Sequence, residues 1–156
     1  MSDLTFLEEA IKLAREYSAD GRGGPFGAVV VQDGKVMGRG WNQVVEARDP
    51  TAHAEILAIR DAALRMGNHV LSGCTIYCSC EPCPMCMAAI YWARIADVVY
   101  AATASDARAA GFDDDHIAQE LVLPPHERTI PVRQALREEG KAVLEAWQKN
   151  PKRREY

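Results

Sequence analysis

Four residues in two short segments could together carry out metal-assisted chemistry. His53 and Glu55 stand two positions apart, and Cys83 and Cys86 stand three apart farther along the chain. A histidine nitrogen and two thiolates are good zinc ligands, and three protein ligands leave one coordination position of the metal open. A carboxylate beside an open position can move protons to and from reacting groups. The four residues therefore predict a catalytic zinc centre with one Zn²⁺ per chain.

The two segments are predicted to lie in the first turns of two helices. Asp49-Pro50 supplies a cap and a first-turn proline for a helix that carries His53 and Glu55. Pro82 predicts the start of a second helix, which reaches about Arg94 and carries both cysteines. Cysteines three positions apart share a helix face, and the positive end of a helix dipole favours thiolates. For these residues to share a metal, the two helix starts must meet at one edge of a sheet.

The rest of the chain predicts an α/β fold. Strand-like segments bounded by turn signals are found at residues 26–32, 35–41, 75–79, 97–102 and, as a possible last strand, 130–132. Asp33-Gly34 predicts a type I′ turn between the first two strands. The later strands alternate with helical segments, as parallel crossovers require. A final helix is predicted from Gln134 to Lys149.

The composition limits the class of protein. With 156 residues, of which 48% are hydrophobic and 26% charged, the chain is expected to fold as a single domain. It has no run of about 18 apolar residues and no signal-like start, so we expect a cytoplasmic protein with no membrane partner. A net charge of −4 gives no overall attraction to phosphate backbones. The sequence therefore favours a small neutral substrate over nucleic acid.

All five cysteines lie between positions 74 and 86. The odd number and close spacing argue against a distributed disulfide framework and favour reduced thiols. A fourth ligand from this cluster would close the zinc site, and a non-enzymatic structural zinc protein is therefore an alternative. A closed site would leave Glu55 without a role. We expect Cys83 and Cys86 to bind the metal and the other three to be small residues in and around a buried strand.

Longer segments around these residues resemble the bacterial guanine deaminases of the cytidine-deaminase-like superfamily. His-x-Glu followed by Pro-Cys-x-x-Cys is the signature of the zinc nucleobase deaminases, and this sequence has every specified residue. The resemblance covers nearly the whole chain: Asn42, residues 49–55, 79–86, 89–94 and 110–114, and the basic tail that ends in Tyr156.

This resemblance implies a three-layer α/β/α sandwich with a mixed, mostly parallel five-stranded sheet, in one domain over residues 1–156. It also implies hydrolysis of guanine to xanthine and ammonia, in which zinc-bound hydroxide attacks the ring carbon that carries the amino group. It further implies a homodimer in which the C-terminal segment, about residues 130–156, crosses to the neighbouring subunit.

The resemblance also assigns roles by matching positions. His53, Cys83 and Cys86 would bind zinc, and Glu55 would carry protons, with Asp114 assisting. The residues that would bind the substrate are Phe26, Asn42, Ala54, Trp92, Asp114 and Tyr156.

Within this set the implied contacts differ. Asn42 would hydrogen-bond the purine, Phe26 and Trp92 would pack against its ring, and Asp114 would recognise its amino side. Tyr156 would cover the pocket of the partner. From the residues alone, ordinary packing of the two aromatic rings, a solvated acidic turn at Asp114 and a frayed terminus at Tyr156 remain open.

Other deaminases share the metal signature. A tRNA adenosine deaminase would act on a base flipped out of RNA, and a patch of Lys149, Lys152, Arg153 and Arg154 would then contact phosphates. A pocket for an amino-purine edge would also accept smaller amino-heterocycles, such as pyrimidines or aminotriazines.

Overall fold

The computed structural model describes residues 3–156, which fall into two compact units. The first unit ends at Asp115, and the second runs from His116 to Tyr156. In the part of the chain that is described, no helix is long and apolar enough to cross a membrane.

The first unit is a mixed β-sheet with helices on both faces. Its elements in chain order are α1 (Asp3–Ser18), β1 (Gly27–Gln32), β2 (Lys35–Trp41), α2 (Val44–Ala47), α3 (Ala54–Met66), β3 (Thr75–Cys80), α4 (Pro84–Trp92), β4 (Asp97–Ala102) and α5 (Ala104–Ala109). The strand order is β2-β1-β3-β4, in which β1 is antiparallel to both neighbours and β3 is parallel to β4. Three strands therefore run in one direction, and β1 alone opposes them.

These elements confirm the predicted α/β sandwich with a mixed sheet. Most strands share one direction, as predicted, although two of the three pairings are antiparallel because β1 lies between β2 and β3. The expected fifth strand is a correction: the sheet of the described residues has four strands. Residues 130–132 form no strand in this chain. Pro131 cannot donate a ladder hydrogen bond, and Ile130 and Val132 are exposed.

The predicted hairpin is confirmed. Asp33 and Gly34 both have positive φ angles, 49° and 72°, and Gln32 pairs with Lys35 across them. A type I′ turn requires positive φ at both central residues, which aspartate tolerates and glycine adopts freely. This turn, together with a one-residue register shift between Val30 and Val31, brings the start of β1 beside the end of β2.

Helix α3 lies unusually close to the sheet. Its buried stripe consists of Ala54, Ala58 and Ala62, and the facing residues of β2 are Gly38 and Gly40. A Cβ atom added at Gly40 would lie 2.0 Å from the carbonyl oxygen of Ala54. Small residues on both sides therefore allow backbone contact, which fixes the start of α3 over the end of β2. On the opposite sheet face, α1 packs Phe6 and Ala10 against β1 and β3.

The second unit contains most of α6 (Asp115–Val122), a 3-10 turn at Pro125–Glu127 and α7 (Arg137–Lys149). The predicted final helix is confirmed but starts at Arg137, because Leu136 takes a left-handed conformation with φ 51°. None of the described residues in this unit is buried. Val143, Leu144 and Trp147 of α7 are exposed although they are apolar.

Candidate metal centre and adjoining cavity

Four chain segments meet at one edge of the sheet. Strands β2, β3 and β4 end there, and β1 starts there because it runs in the opposite direction. Phe26 precedes β1, Asn42 follows β2, Cys80 ends β3, and Ala104 follows β4 after one residue. All four residues line a single cavity of about 320 Å³.

The first metal-ligand candidate, His53, is the residue that caps the start of α3. The expectation that Asp49-Pro50 opens this helix is wrong. Those residues form a turn in which the Asp49 carboxylate accepts hydrogen bonds from the backbone N–H and the hydroxyl of Thr51, at 2.8 and 2.7 Å. An aspartate followed by proline favours such a turn as well as a helix cap. His53 is extended, with φ −73° and ψ 155°, directly before the first helical turn.

The second helix start is arranged in the same way. Cys83 caps α4 in an extended conformation, with φ −65° and ψ 168°, and Pro84 is the first helical residue. The helix therefore begins two residues later than the predicted start at Pro82. Cys86 is the third residue of α4 and is buried. Both helices thus direct their N-terminal ends, where the dipole favours thiolate, at the same place.

The three predicted ligands converge. The Nδ1 atom of His53 lies 3.6 Å from the Sγ of Cys83 and 3.5 Å from the Sγ of Cys86. Tetrahedral zinc with ordinary bond lengths to nitrogen and sulfur places such ligand atoms about 3.6 Å apart. No other group of three or more potential ligands within residues 3–156 lies this close together. The donor set and its spacing therefore fit zinc, and Nδ1 is the histidine atom that faces both sulfurs.

The ionisation of these side chains is coupled. A hydrogen bond from Cys86, supported by His53, lowers the pKa of Cys83 to about 4. The same hydrogen bond, together with burial, raises the pKa of Cys86. The hydrogen bond with Cys83 raises the pKa of His53. These shifts favour the thiolate at Cys83, whereas Cys86 and His53 hold their protons more strongly and must release them when zinc binds, because zinc ligands are deprotonated.

Glu55 lies next to this centre. It is the second residue of α3, is only 8% exposed and lines the cavity with His53 and Cys83. Burial raises the pKa of its carboxyl group. A carboxyl group that holds its proton more readily than in water is suited to accept and donate protons near neutral pH.

Asn42 presents a defined hydrogen-bonding group. Its side-chain oxygen accepts hydrogen bonds from the backbone N–H groups of Gly24 and Val44, at 3.2 and 3.3 Å. These two bonds orient the amide and occupy its acceptor. The amide N–H groups therefore remain as donors for a bound molecule.

The far wall of the cavity is formed by α5 and the residues after it. Ala104, Phe112, Asp113 and Asp114 line this side. The ring of Phe112 meets the ring of Phe26 edge to face, with centroids 4.8 Å apart. The cavity thus combines a metal centre, an aromatic pair and carboxylates.

The structure brings most predicted site residues together. Those at the metal centre or lining its cavity are Phe26, Asn42, His53, Glu55, Cys83, Cys86 and Asp114. Ala54 is fully buried in the core beside the sheet. Trp92 ends α4, is 67% exposed and does not line the cavity, and Tyr156 ends the second unit with 76% of its surface exposed.

Several lining residues were not predicted from the sequence. Cys80 and Glu81 lie three and two residues before Cys83, and their place inside the resembling segment, residues 79–86, was an available signal. Phe112 lies two residues before the predicted Asp114, inside the resembling segment 110–114, and could have been predicted in the same way. Val44 and Val45, on α2, carry no motif that would have identified them.

Comparison with known proteins gives consistent results. Residues 1–102 match the family described as the cytidine and deoxycytidylate deaminase zinc-binding region. The chain is 49% identical to guanine deaminase of Bacillus subtilis (strain 168) over 156 residues, which is 100% of both proteins. The crystal structure of guanine deaminase from Bacillus subtilis has a TM-score of 0.97 and covers 100% of this chain and 99% of that one.

Two further relatives match less of the chain. A crystal structure in complex with 2,6-diaminopurine has a TM-score of 0.69 at 36% identity and covers 72% of this chain and 63% of that one. The tRNA-specific adenosine deaminase of Aquifex aeolicus is 40% identical over 97 residues, which is 62% of this chain and 64% of that protein.

These matches agree with the geometry of the site. The matched family is described by its zinc-binding region, and His53, Cys83 and Cys86 form a cluster that fits this metal. The chain therefore binds one zinc ion, as predicted. It belongs to the cytidine and deoxycytidylate deaminase family of zinc-binding proteins.

Proposed function

We propose that this protein is a guanine deaminase that hydrolyses guanine to xanthine and ammonia. The observation that carries the proposal is the likeness to the Bacillus subtilis guanine deaminase over the whole of both chains. That likeness includes residues 103–156, which lie beyond the match to the zinc-binding region. The matches to tRNA deaminases cover less of this chain, from 62% by sequence to 81% by structure.

The chemistry follows from the residues around the metal centre. His53 Nδ1 and the thiolates of Cys83 and Cys86 would hold the metal. Zinc, when bound, lowers the pKa of a water molecule to about 7 and so supplies a nucleophile at neutral pH. Glu55 accepts the proton that is released and delivers it to the ring nitrogen beside the reacting carbon. The oxygen of the water molecule would bond to the ring carbon that carries the amino group, and Glu55 would take the remaining proton from that oxygen and pass it to the amino group. The C–N bond would then break, ammonia would leave, and the carbon would keep the oxygen as the carbonyl of xanthine.

The environment of Glu55 supports this role. The residue must be a base at the start of the cycle and an acid later, which requires a pKa closer to neutrality than that of an exposed glutamate. Burial moves its pKa in that direction. Its position in the first turn of α3 keeps it next to His53.

The cavity favours a neutral base over a phosphorylated one. Its volume of about 320 Å³ lies at the small end of the range for ligand pockets. Glu55, Glu81, Asp113 and Asp114 line it, and none of the described lining residues is lysine or arginine. The carboxylate of Asp114 would accept hydrogen bonds from the N–H groups of guanine, and the four acidic side chains together would repel a phosphate.

Within this proposal four of the lining residues have a defined contact. Asn42 donates its amide N–H groups to an acceptor on the purine. Phe26 packs against the ring, backed by Phe112. Asp114 accepts from the amino side of the base and assists proton transfer.

We further propose that the protein is a homodimer in which residues 130–156 cross to the neighbouring subunit. The exposed apolar side chains Val143, Leu144 and Trp147 on α7 support this, because exposed apolar patches mark interaction sites. Tyr156 would then cover the neighbour's cavity, and Trp92 would pack against the ring of the bound purine. Analytical ultracentrifugation should find a dimer for the full chain and a monomer for the Val143→Asp, Leu144→Asp variant. A monomeric full chain would contradict the dimer.

A substrate panel tests the proposed activity. Zinc-loaded protein should convert guanine to equimolar xanthine and ammonia, followed as loss of ultraviolet absorbance and by chromatography. Adenine, cytosine, guanosine, an aminotriazine and a tRNA anticodon stem are compared on the same preparation, with chelator-treated protein as the control. Turnover of the tRNA adenosine with guanine left untouched would establish the RNA-directed activity instead.

A further inference from the structure

Glu81 links the metal-binding segment to the opposite wall of the cavity. Its side-chain Oε2 accepts a hydrogen bond from the backbone N–H of Ala104 at 2.9 Å. Its own backbone N–H donates to the carbonyl of Ala102 at 2.8 Å. The thiol of Cys80 donates to the carbonyl of Thr103 at 3.6 Å. Three contacts thus fasten the segment that precedes Cys83 to the end of β4.

The bond to Ala104 supports the start of the wall. Ala104 is the first residue of α5, and the first N–H groups of a helix have no partner inside it. Thr103 and Asp106 satisfy other groups through a local capping box, in which Asp106 N–H donates to Thr103 Oγ1 at 3.2 Å. Glu81 is therefore the side chain that ties this helix start to a different part of the chain.

Packing alone does not fix the wall. None of the residues of α5 is buried, so the helix contributes no side chain to the core. Beyond it, the edge-to-face contact between Phe112 and Phe26 holds the far end of the segment. Asp113 and Asp114 follow directly, and both line the cavity. Three contacts hold the wall that carries these carboxylates: the Glu81 bond at its start, the ion pair between Arg108 and Asp115, and the Phe112–Phe26 contact. Among them, only the Glu81 bond joins the wall to the metal-binding segment.

We propose that Glu81 is a positioning residue: it holds Ala104, and thereby sets the distance between the wall that carries Asp114 and the zinc centre. The consequence for substrate binding rests on the proposed function, whereas the effect on the wall does not. Glu81 belongs to the metal-binding segment in sequence, so one short segment, residues 81–86, both supplies two zinc ligands and places the wall that faces them.

Four variants of the full-length, zinc-loaded protein test this role. Glu81→Ala removes the acceptor, Glu81→Asp keeps the charge but shortens the reach by one methylene, and Glu81→Gln keeps an oxygen in place. Asp61→Ala is the matched control, because the Asp61 carboxylate also accepts a backbone N–H, from Arg39 at 3.0 Å, but does not line the cavity.

The expected result is a change in KM. Because small displacements of binding groups are costly, KM for guanine should rise about tenfold in Glu81→Ala and Glu81→Asp, with kcat less affected and one zinc retained. Glu81→Gln should stay close to the unsubstituted protein. Asp61→Ala should lower the melting temperature without changing KM.

Amide hydrogen exchange supplies a readout that does not require turnover. Peptides covering residues 103–114 should exchange faster in Glu81→Ala and Glu81→Asp than in Glu81→Gln or Asp61→Ala. Unchanged exchange in the first two variants would overturn the proposal. The proposal would also be overturned if Glu81→Gln raised KM as much as Glu81→Ala while its amides in residues 103–114 still exchanged slowly. Glu81 would then act on the substrate through its charge. If the unsubstituted protein leaves guanine untouched, the proposed function fails and the exchange data still decide the role of Glu81.

Discussion

The two compact units differ in how they bury their residues. The first unit has core clusters on both faces of its sheet, and it contains the metal centre and the match to the zinc-binding region. The second has no buried residue among those described and displays apolar side chains such as Trp147, which is 44% exposed. The chemistry therefore resides on a scaffold with its own core, whereas the second unit presents apolar surface suited to contact with another chain. Substitutions in the two units should have correspondingly different effects.

The largest effect is expected in the first unit, at Glu55. Glu55→Gln keeps the size of the side chain and all three metal ligands, so the zinc content should remain at one per chain. Turnover should fall by about 10²–10⁴-fold, because the amide cannot carry protons. Metal analysis and steady-state kinetics on one preparation check this. Full activity in the zinc-loaded variant would refute the proton-carrying role.

The next effect concerns the close contact between α3 and β2. Gly40→Ala would place a Cβ atom 2.0 Å from the Ala54 carbonyl oxygen and 2.5 Å from the Ala58 nitrogen. Backbone atoms cannot move aside cheaply, so the free energy of unfolding should fall by about 3 kcal/mol. The zinc ligand His53, at the start of α3, should bind metal more weakly. Denaturant titrations with and without added zinc measure the free energy of unfolding and the strength of zinc binding. If neither changes, the helix does not need this contact.

A smaller effect is expected from the end of the second unit. A chain that stops at Asn150 lacks Tyr156, so the neighbour's cavity would lose its cover. KM for guanine should rise about tenfold, while zinc content and the unfolding of the first unit stay unchanged. Tyr156→Phe is the control, since it keeps the ring. Undiminished activity in the shortened chain would show that the tail of the second unit plays no part in the site of the first unit.

The smallest effect is a stabilisation of the second unit. Gly140 lies inside α7, and a Cβ atom added there would meet no heavy atom within 4 Å. Gly140→Ala should therefore raise the free energy of unfolding by about 0.5–1 kcal/mol, because alanine loses less backbone entropy in a helix. Thermal unfolding followed by circular dichroism measures it. A loss of stability would mean that this helix face is covered in the assembled protein, which would support the proposed dimer.

Local signals predicted much of the fold. Asp33-Gly34 determined the hairpin turn, and the alternation of strands with helices indicated the α/β sandwich. The start of α3 was harder, because Asp49-Pro50 is compatible with both a cap and a turn. The strand at residues 130–132 failed for a different reason: strand formation needs a partner edge, and Pro131 weakens the segment further.

In the site, too, some residues were predictable from local signals and others depended on contacts between distant segments. His53, Glu55, Cys83 and Cys86 were predictable because their spacing within helix starts is itself the signal, and the resemblance to bacterial guanine deaminases is confirmed by 49% identity over the whole chain. The wall of the cavity was not predictable from local signals, because the contact of Glu81 with Ala104 depends on where β4 ends beside β3. Such contacts arise only when distant segments are assembled.

The most direct test of the central claim is X-ray absorption at the zinc edge of the purified protein. We expect one zinc per chain with two sulfur ligands at about 2.3 Å and lighter nitrogen or oxygen ligands in the remaining positions. Cys80→Ser should leave that spectrum unchanged, whereas Cys83→Ser should remove one sulfur or the metal itself. A spectrum with three or four sulfur ligands would mean a closed structural site and would contradict the catalytic centre described above.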